Sequence, residues 1–191
     1  MQKIIFIDRD GVINKDPGGW TRYNYVTKWD EFFFIDGSIE ALKRLKKAGY
    51  RIYLISNQGG ISKGYFAQKD LNGINRKMLA EIKRGGGKID QLYYCPHHDL
   101  DNCECRKPKT GLIEQAIRKK RVDIKNTFII GDSLRDIEAG KRMDMKTILV
   151  LSGKTSLSEI ESWSIQPDCI KKDLLEAVEW ILKNERTDNA K

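Results

Sequence analysis

Two aspartates, Asp8 and Asp10, stand one residue apart directly after a short apolar run at residues 3–7. If that run is a strand, its alternation aims both carboxylates to one side, and Gly11 then lets the chain turn. Neighbouring carboxylates repel each other unless a cation lies between them or one of them holds a proton. Either condition serves phosphoryl transfer, with Asp8 attacking phosphorus and Mg²⁺ offsetting the charge. Alone, such a pair is also typical of a turn whose side chains bond to local amides.

Polar side chains follow three later apolar runs as well. These groups are Ser56, Asn57 and Gln58; Arg106 and Lys107; and Asp132, Ser133 and Asp136. The first group offers a hydroxyl and amides that could hold phosphate oxygens without adding negative charge. The second offers a guanidinium fork and a point charge, and the third offers two acids one helical turn apart. Each group alone is also typical of a helix entry or a solvated surface pair.

The elements that must position these groups follow from hydrophobic periodicity. Short apolar runs rich in β-branched residues predict buried strands. They cover residues 3–7, 51–55, 89–94, 127–131 and 147–151. Helical patterns lie between and after them, at residues 39–48, 68–83, 110–120, 133–142 and 174–182. This alternation predicts an α/β fold, a doubly wound parallel sheet with helices on both faces, in which ligands bind beyond the carboxyl ends of the strands. All four polar groups fall at such ends.

Three of the four cysteines crowd into one segment with both histidines of the chain. The segment contains Cys95, His97, His98, Cys103 and Cys105. Three thiolates and one imidazole make a closed tetrahedral zinc site, so the cluster indicates metal rather than disulfides. A closed site leaves no position for water, and we therefore expect zinc to be structural and to hold the loop that carries the basic pair. The alternative is a set of free thiols in a reducing compartment.

Composition sets the broader expectations. The 191 residues carry a formal net charge of +8, with 32% charged and 40% hydrophobic residues. We expect one globular domain at residues 1–185 and a flexible tail at 186–191. The charge suits an anionic partner or simply solubility. Because apolar stretches are short and the start MQKIIFIDRD turns acidic early, we expect a cytoplasmic protein without a membrane partner, and a monomer by default.

The four polar groups, taken together and in this order, resemble the haloacid dehalogenase-like phosphatase superfamily. The resemblance extends to about residue 150. The segment between Asn14 and the first predicted helix is too short to form a separate cap domain, so we expect none. The resemblance implies that Asp8 is the nucleophile, that Asp10 is the general acid and base, and that Ser56 and Lys107 stabilise the phosphate. It also implies that Asp132 binds magnesium together with Asp8 and the backbone carbonyl of Asp10.

Within the superfamily, the segments DRDGVIN, SNQ, CPHH and CRKP resemble the heptose bisphosphate phosphatases, with the histidinol phosphatases as close relatives. This resemblance implies a small phosphorylated sugar as substrate, hydrolysed at the 7-phosphate of D-glycero-D-manno-heptose 1,7-bisphosphate, with catalytic Mg²⁺ and structural Zn²⁺. It favours His97 over His98 as a zinc ligand, and it implies that Arg106 grips the retained phosphate. Rim residues would contact the sugar; these are Asp16, Pro17, Gly18 and Gly19. Ser133, also expected at the substrate, stands where some of these enzymes carry lysine, which leaves fine substrate preference open.

Three other functions remain open at this point. One is a histidinol-phosphate phosphatase, the activity of the close relatives named above. A polynucleotide 3′-phosphatase shares the catalytic framework and would hold DNA on the basic surface. A zinc-ordered nucleic-acid-binding module would use the charge and the cysteine segment, while Asp8 and Asp10 would only shape a turn. We expect no nucleic-acid partner, because the sequence lacks an obvious base-stacking or kinase module.

Overall fold

The strands of this chain form one parallel sheet. The computed structural model describes residues 2–188, with side chains through residue 185. Its strands are β1 (Ile4–Ile7), β2 (Arg51–Asn57), β3 (Gln91–Cys95), β4 (Phe128–Gly131), β5 (Lys146–Val150) and β6 (Cys169–Lys171). Within the described residues these six strands lie in the order β3-β2-β1-β4-β5-β6. Every pairing between neighbours is parallel.

Helices cover both faces of the sheet. They are α1 (Ser38–Lys47), α2 (Gln68–Arg84), α3 (Gly111–Ile117), α4 (Leu134–Arg142), α5 (Leu157–Ile160) and α6 (Leu174–Asp188). On β1, Ile5 and Ile7 pack into the core beneath α1, α2 and α6, whereas Ile4 and Phe6 pack into the core beneath α3 and α4. Because both faces are buried, the strands read as continuous apolar runs rather than alternating ones.

The doubly wound α/β fold is thus confirmed, with differences at its edges. The structure adds β6 and the short α5, which sequence periodicity did not predict. α3 ends at Ile117, earlier than expected, because Arg118 leaves the helical conformation, with ψ at 127°, and Lys119 has a positive φ of 64°. The backbone of α6 continues to Asp188, past the expected domain end at residue 185, and residues 189–191 of the expected tail lie outside the described residues.

The topology places a crevice at the carboxyl ends of the central strands. The chain runs outward to β2 and β3 on one side of β1 and to β5 and β6 on the side of β4. Ligands bind at such a switch point in open α/β sheets. Residues 8–37, between β1 and α1, form the rim of this crevice and contain one short 3-10 helix at Trp29–Glu31. Among the described residues, no helix combines the length and apolarity that a membrane span requires.

Candidate active site

One cleft of about 140 Å³ collects the polar strand ends. β1 leads into Asp8, β2 ends in Ser56 and Asn57, β4 leads into Asp132, and the loop after β3 brings in Lys107. The complete lining is Asp8, Asp10, Asp16, Pro17, Asn24, Tyr25, Ser56, Asn57, Arg106, Lys107, Asp132, Ser133, Arg135 and Lys154. The sheet therefore assembles groups that are far apart in the sequence.

A buried lysine lies at the base of the cleft. Lys107 Nζ is 2.9 Å from Asp8 Oδ1 and 2.6 Å from Asp136 Oδ1. It also donates a hydrogen bond of 2.9 Å to the carbonyl oxygen of Ile55. Burial opposes the charged form, but the attraction of Asp136 and Asp8 outweighs it and raises the pKa of Lys107 above its usual range. The ammonium is thus held protonated between two carboxylates.

Asn57 fixes the backbone that carries this lysine. Its Nδ2 donates to the Lys107 carbonyl at 3.0 Å, and its Oδ1 accepts from the Lys107 amide at 3.1 Å. The side chain of Asn57 also faces the cleft. A residue expected to bind substrate therefore also joins β2 to the loop after β3.

Three carboxylates form what we call the acidic floor: Asp8, Asp132 and Asp136. Each has an oxygen within 4.8 Å of the others. Burial, together with the neighbouring carboxylates, raises the pKa of Asp8 to about 6 and that of Asp132 to about 8. The arrangement carries more negative charge than Lys107 offsets, and a divalent cation with oxygen ligands would relieve it.

Two glycines bring the chain against Asp132. A Cβ on Gly11, whose φ is 79°, would lie 2.4 Å from Asp132 Oδ2, and one on Gly153 would lie 2.1 Å from the same atom. The amide of Lys154 donates to that oxygen at 3.0 Å. Only residues without a side chain permit this close packing. The turn after β1 and the loop after β5 are thereby both held on the acidic floor.

The second aspartate of the pair has different partners. Asp10 accepts hydrogen bonds from Arg9, from Asn14 Nδ2 at 2.9 Å and from Gln58 Nε2 at 2.9 Å. Arg9 is 1% exposed, and its Nε and Nη2 both reach Asp10 Oδ1, at 3.3 and 3.1 Å. The side chain of Asp10, a residue predicted to bind Mg²⁺, therefore lies in this network. The third carboxylate beside Asp8 and Asp132 is that of Asp136.

The network shows where sequence reasoning and geometry differ. Gln58, expected at the substrate, lies buried behind Asp10 and donates to Ser56 Oγ at 2.9 Å, outside the lining of the cleft. Arg9 and Asn14 were not singled out as functional residues. The sequence does contain a signal for Arg9, since an arginine between two aspartates at a buried strand end needs carboxylate partners.

Two of the four predicted rim residues line the cleft, and so does one of a group of aromatic rings that we call the aromatic wall: Tyr25, Tyr65 and Phe66. Asp16 and Pro17 line the cleft, but Gly18 and Gly19 do not. Tyr25 lines it as well, and its ring centroid lies 6.1 Å from that of Phe66 and 6.0 Å from that of Tyr65. The expectation for residues 16–19 overlooked this ring, although the cluster WTRYNY was the available signal.

The basic side of the cleft holds Arg106. Its Nη1 donates to the carbonyl of His97 at 3.4 Å, and its Nη2 forms an ion pair with Asp99. Ser133 lines the same side, where its Oγ donates to Asp136 Oδ2 at 2.6 Å. Two cations there, Arg135 and Lys154, were not predicted from the sequence.

The cysteine loop, residues 95–105, brings four potential metal ligands together. These are Cys95, His97, Cys103 and Cys105. The sulfur of Cys103 is 3.5 Å from those of Cys95 and Cys105, and His97 Nδ1 is 3.2 Å from Cys105 Sγ. Such spacing fits the corners of a tetrahedron around one ion with metal–sulfur bonds of about 2.3 Å.

The other histidine and the fourth cysteine lie apart from this group. His98 Nδ1 accepts a hydrogen bond of 3.1 Å from the amide of Leu100 and so caps the short helix Asp99–Asp101. Cys169 lies on β6, at the opposite edge of the sheet from β3, and packs partly buried against the core.

The parallel sheet and the acidic strand ends are those of a haloacid dehalogenase-like hydrolase. Residues 104–177 match the family described as "HAD-hyrolase-like". The crystal structure of D,D-heptose 1,7-bisphosphate phosphatase from B. bronchiseptica, complexed with magnesium and phosphate, superposes with a TM-score of 0.85. It is 32% identical in sequence and covers 96% of this chain and 99% of that one.

Relatives with curated names indicate which family of haloacid dehalogenase-like hydrolases the chain belongs to. D-glycero-beta-D-manno-heptose-1,7-bisphosphate 7-phosphatase of Pasteurella multocida is 43% identical over 161 residues, which are 81% of this chain and 84% of the relative. The protein of the same name from Helicobacter pylori is 38% identical over 180 residues, 94% of this chain and 97% of the relative. The chain belongs to the heptose-1,7-bisphosphate 7-phosphatase family of haloacid dehalogenase-like hydrolases.

Proposed function

We propose that this chain is a Mg²⁺-dependent phosphatase that removes the 7-phosphate of D-glycero-D-manno-heptose 1,7-bisphosphate. The names of relatives that are 35% to 43% identical support this substrate. The observation that carries the chemistry is the 2.9 Å contact between Asp8 Oδ1 and Lys107 Nζ at the base of the cleft. A phosphate that enters there meets a carboxylate nucleophile and a fixed cation.

The first half of the reaction transfers the phosphoryl group to Asp8. A carboxylate oxygen of Asp8 attacks phosphorus, the bond between phosphorus and the C7 oxygen breaks, and Asp10 gives a proton to the leaving oxygen. Ser56 and Lys107 stabilise the charge on the phosphate oxygens. The sugar, still carrying its 1-phosphate, then leaves the cleft.

The second half regenerates the enzyme. Asp10 takes a proton from a water molecule whose oxygen attacks phosphorus, and the bond between phosphorus and Asp8 breaks to release inorganic phosphate. Arg9, Asn14 and Gln58 support this role, because their hydrogen bonds hold the Asp10 carboxylate at the cleft.

Magnesium fits the acidic floor, because carboxylate oxygens are its preferred ligands and buried Asp8 and Asp132 repel each other when ionised. We assign Asp8, Asp132 and the backbone carbonyl of Asp10 as its protein ligands. When bound, it supplies the positive charge that lets an anionic nucleophile approach an anionic phosphate. Asp136 serves as the buried ion-pair partner of Lys107.

Zinc fits the cysteine loop, because three sulfurs and one imidazole nitrogen form a closed set of soft ligands. Its role is structural. The loop carries His97, whose carbonyl accepts from Arg106, and Asp99, which pairs with the same guanidinium. Ordering the loop therefore orders Arg106, which we assign to the phosphate that is retained.

We propose that the enzyme acts on a small soluble sugar phosphate as a monomer in the cytoplasm, without nucleic acid or membrane. The cleft of about 140 Å³ has room for one phosphate and the adjoining part of a sugar, and its cations Arg106, Arg135 and Lys154 suit an anionic ligand.

Phosphate release from a substrate panel tests the proposal. The panel contains both anomers of the heptose bisphosphate, histidinol phosphate and a 3′-phosphorylated oligonucleotide. We expect the highest kcat/KM for a heptose bisphosphate, and loss of turnover on chelation of divalent cations and in Asp8→Asn. The matched control is Asp144→Asn, an exposed aspartate outside the cleft, which should remain fully active. Preferred hydrolysis of the oligonucleotide, or full turnover in Asp8→Asn, would contradict the proposal.

A further inference from the structure

A second cavity adjoins the catalytic cleft. It has a volume of about 290 Å³ and shares Arg106, Lys107 and Arg135 with the cleft. Its remaining lining includes the cations Lys109 and Arg142, with Asp99 as its acid. An anionic group that extends from the cleft would therefore enter a strongly basic space.

Most cations at this junction already have carboxylate partners. Lys107 is held between Asp8 and Asp136, and Arg106 is paired with Asp99 and is only 11% exposed at its side chain. Lys109 pairs with Glu104 at 2.9 Å. These pairs offset much of the positive charge that a second phosphate would meet.

Arg135 differs from these cations. Its side chain is exposed, lines both cavities, and has no hydrogen-bond or ion-pair partner among the described residues. It stands in the first turn of α4, directly after the N-cap Ser133 and Leu134. A cation is unfavourable at this end of a helix because the helix dipole is positive there. Stability therefore does not account for an arginine at this position.

We propose that Arg135 is the specificity-determining residue that binds the second, retained phosphate of the substrate, together with Arg106. This inference rests on the proposed function, since it requires a bisphosphate whose first phosphate lies on the acidic floor. Arg106 supplies a pre-oriented guanidinium. Arg135 supplies a charge that no described carboxylate offsets, and it lines both cavities, whereas Arg142 lines only the second and Lys154 only the cleft. Ser133 does not donate its hydroxyl hydrogen to this phosphate, because that hydroxyl donates to Asp136 Oδ2.

Steady-state kinetics of Arg135→Gln on two substrates test the inference. The substrates are the heptose 1,7-bisphosphate and the heptose 7-phosphate, which lacks the group that Arg135 would bind. For the bisphosphate we expect KM to rise about tenfold with kcat nearly unchanged, the loss typical of one charge-assisted hydrogen bond. For the monophosphate we expect the KM of the variant to equal that of the wild type. Arg135→Lys should recover part of the loss, because it restores charge without the guanidinium fork.

A matched control and a salt series separate this effect from a general charge effect. Arg121→Gln removes the same charge from an exposed arginine beside Val122, which pairs with Gln2 near the start of β1, at the opposite end of the sheet. It should change neither KM. In the wild type, raising ionic strength should reduce the preference for the bisphosphate, and Arg135→Gln should show a weaker salt dependence.

The outcomes are distinguishable. If the wild type hydrolyses the bisphosphate and Arg135→Gln changes KM for both substrates equally, or for neither, the inference is overturned while the proposed function stands. If the wild type hydrolyses neither heptose phosphate, both are overturned. A KM increase confined to the bisphosphate, with an unchanged Tm, supports the inference.

Discussion

The acidic floor and the cysteine loop are both groups of potential metal ligands, but they are built in opposite ways. The three carboxylates of the floor come from chain positions 8, 132 and 136. The pairing of β1 with β4 and the first turn of α4 bring them within 4.8 Å. The four ligands of the loop lie within residues 95–105, and His97 is exposed. The floor is thus a product of the fold, whereas the loop has little buried surface of its own to hold it.

This difference separates the roles of the two regions. The floor carries a protein cation, Lys107, so its charge is partly balanced before any metal binds. The loop contains no such cation among its ligands, and we propose that it depends on metal for its shape. Substitutions in the floor should therefore lower both kcat and the free energy of unfolding. Substitutions in the loop should instead raise KM.

The largest effect is expected for Lys107→Met. Removing the ammonium leaves Asp8 and Asp136 buried without their partner, which should lower the free energy of unfolding by about 3 kcal/mol. It also removes a donor to the phosphate, so kcat should fall about 10³-fold. Urea unfolding and phosphate release measure the two effects. Lys125→Met is the control, because that lysine is exposed and lines neither the cleft nor the second cavity; equal losses in both variants would refute the special role of Lys107.

Cys103→Ser should weaken substrate binding, seen in KM, more than it slows the chemical step, seen in kcat. Losing one of three thiolates should release the metal and disorder the loop that carries His97 and Asp99, so that Arg106 loses its position. We expect KM to rise about tenfold, with kcat changed far less, as is typical for the loss of supporting interactions around a site. Metal analysis and kinetics test this. Cys169→Ser, on β6, should retain both metal and KM; a normal KM in a metal-free Cys103→Ser protein would contradict the account.

The stabilising effect of Mg²⁺ should increase with pH. Burial and neighbouring carboxylates raise the pKa of Asp8 to about 6 and that of Asp132 to about 8, from a usual value of 3.8. The folded state therefore holds protons that the unfolded state releases. Without metal, the folded state becomes less stable as pH rises from the usual pKa of 3.8 through the raised values of about 6 and about 8. Because Mg²⁺ competes with these protons, its shift in Tm should be larger at pH 8.5 than at pH 6. A shift that is equal or smaller at pH 8.5 would show that these carboxylates do not bind it.

The smallest effect is expected at the rim. The ring of Tyr65 stacks on Tyr23 with centroids 4.4 Å apart and also contacts Tyr25 at the cleft. Tyr65→Ala should raise KM about fivefold, since such aromatic pairs contribute about 1 kcal/mol. Tyr65→Phe keeps the ring and should match the wild type. If the alanine variant also matches it, the aromatic wall does not shape the substrate site.

The same contrast explains what could be predicted from sequence. The cysteine loop is local, so ligand types and spacing suffice to recognise it. The strand ends that supply Asp8, Lys107 and Asp132 follow from apolar runs buried on both faces. β6 was missed because it is a three-residue edge strand with only one large apolar side chain, Ile170, which is 37% exposed.

Other parts of the site depend on side-chain direction, which a one-dimensional pattern does not contain. Gln58 and Asn57 are adjacent in sequence, yet only Asn57 lines the cleft, because Gln58 turns inward to Asp10. Arg135 and Tyr25 belong to the cleft through the path of α4 and of the rim. No periodicity or spacing marks Arg135, whereas the aromatic cluster WTRYNY is a sequence signal for Tyr25.

Trapping the covalent intermediate tests the central claim, that Asp8 becomes phosphorylated, most directly. The enzyme is mixed with the heptose bisphosphate and Mg²⁺, quenched in acid during turnover, and reduced with borohydride, which converts an aspartyl phosphate to homoserine. We predict by peptide mass spectrometry that homoserine is found at position 8 and requires both substrate and Mg²⁺. Homoserine at another aspartate, or turnover without any modified residue under conditions that preserve acyl phosphates, would contradict the account.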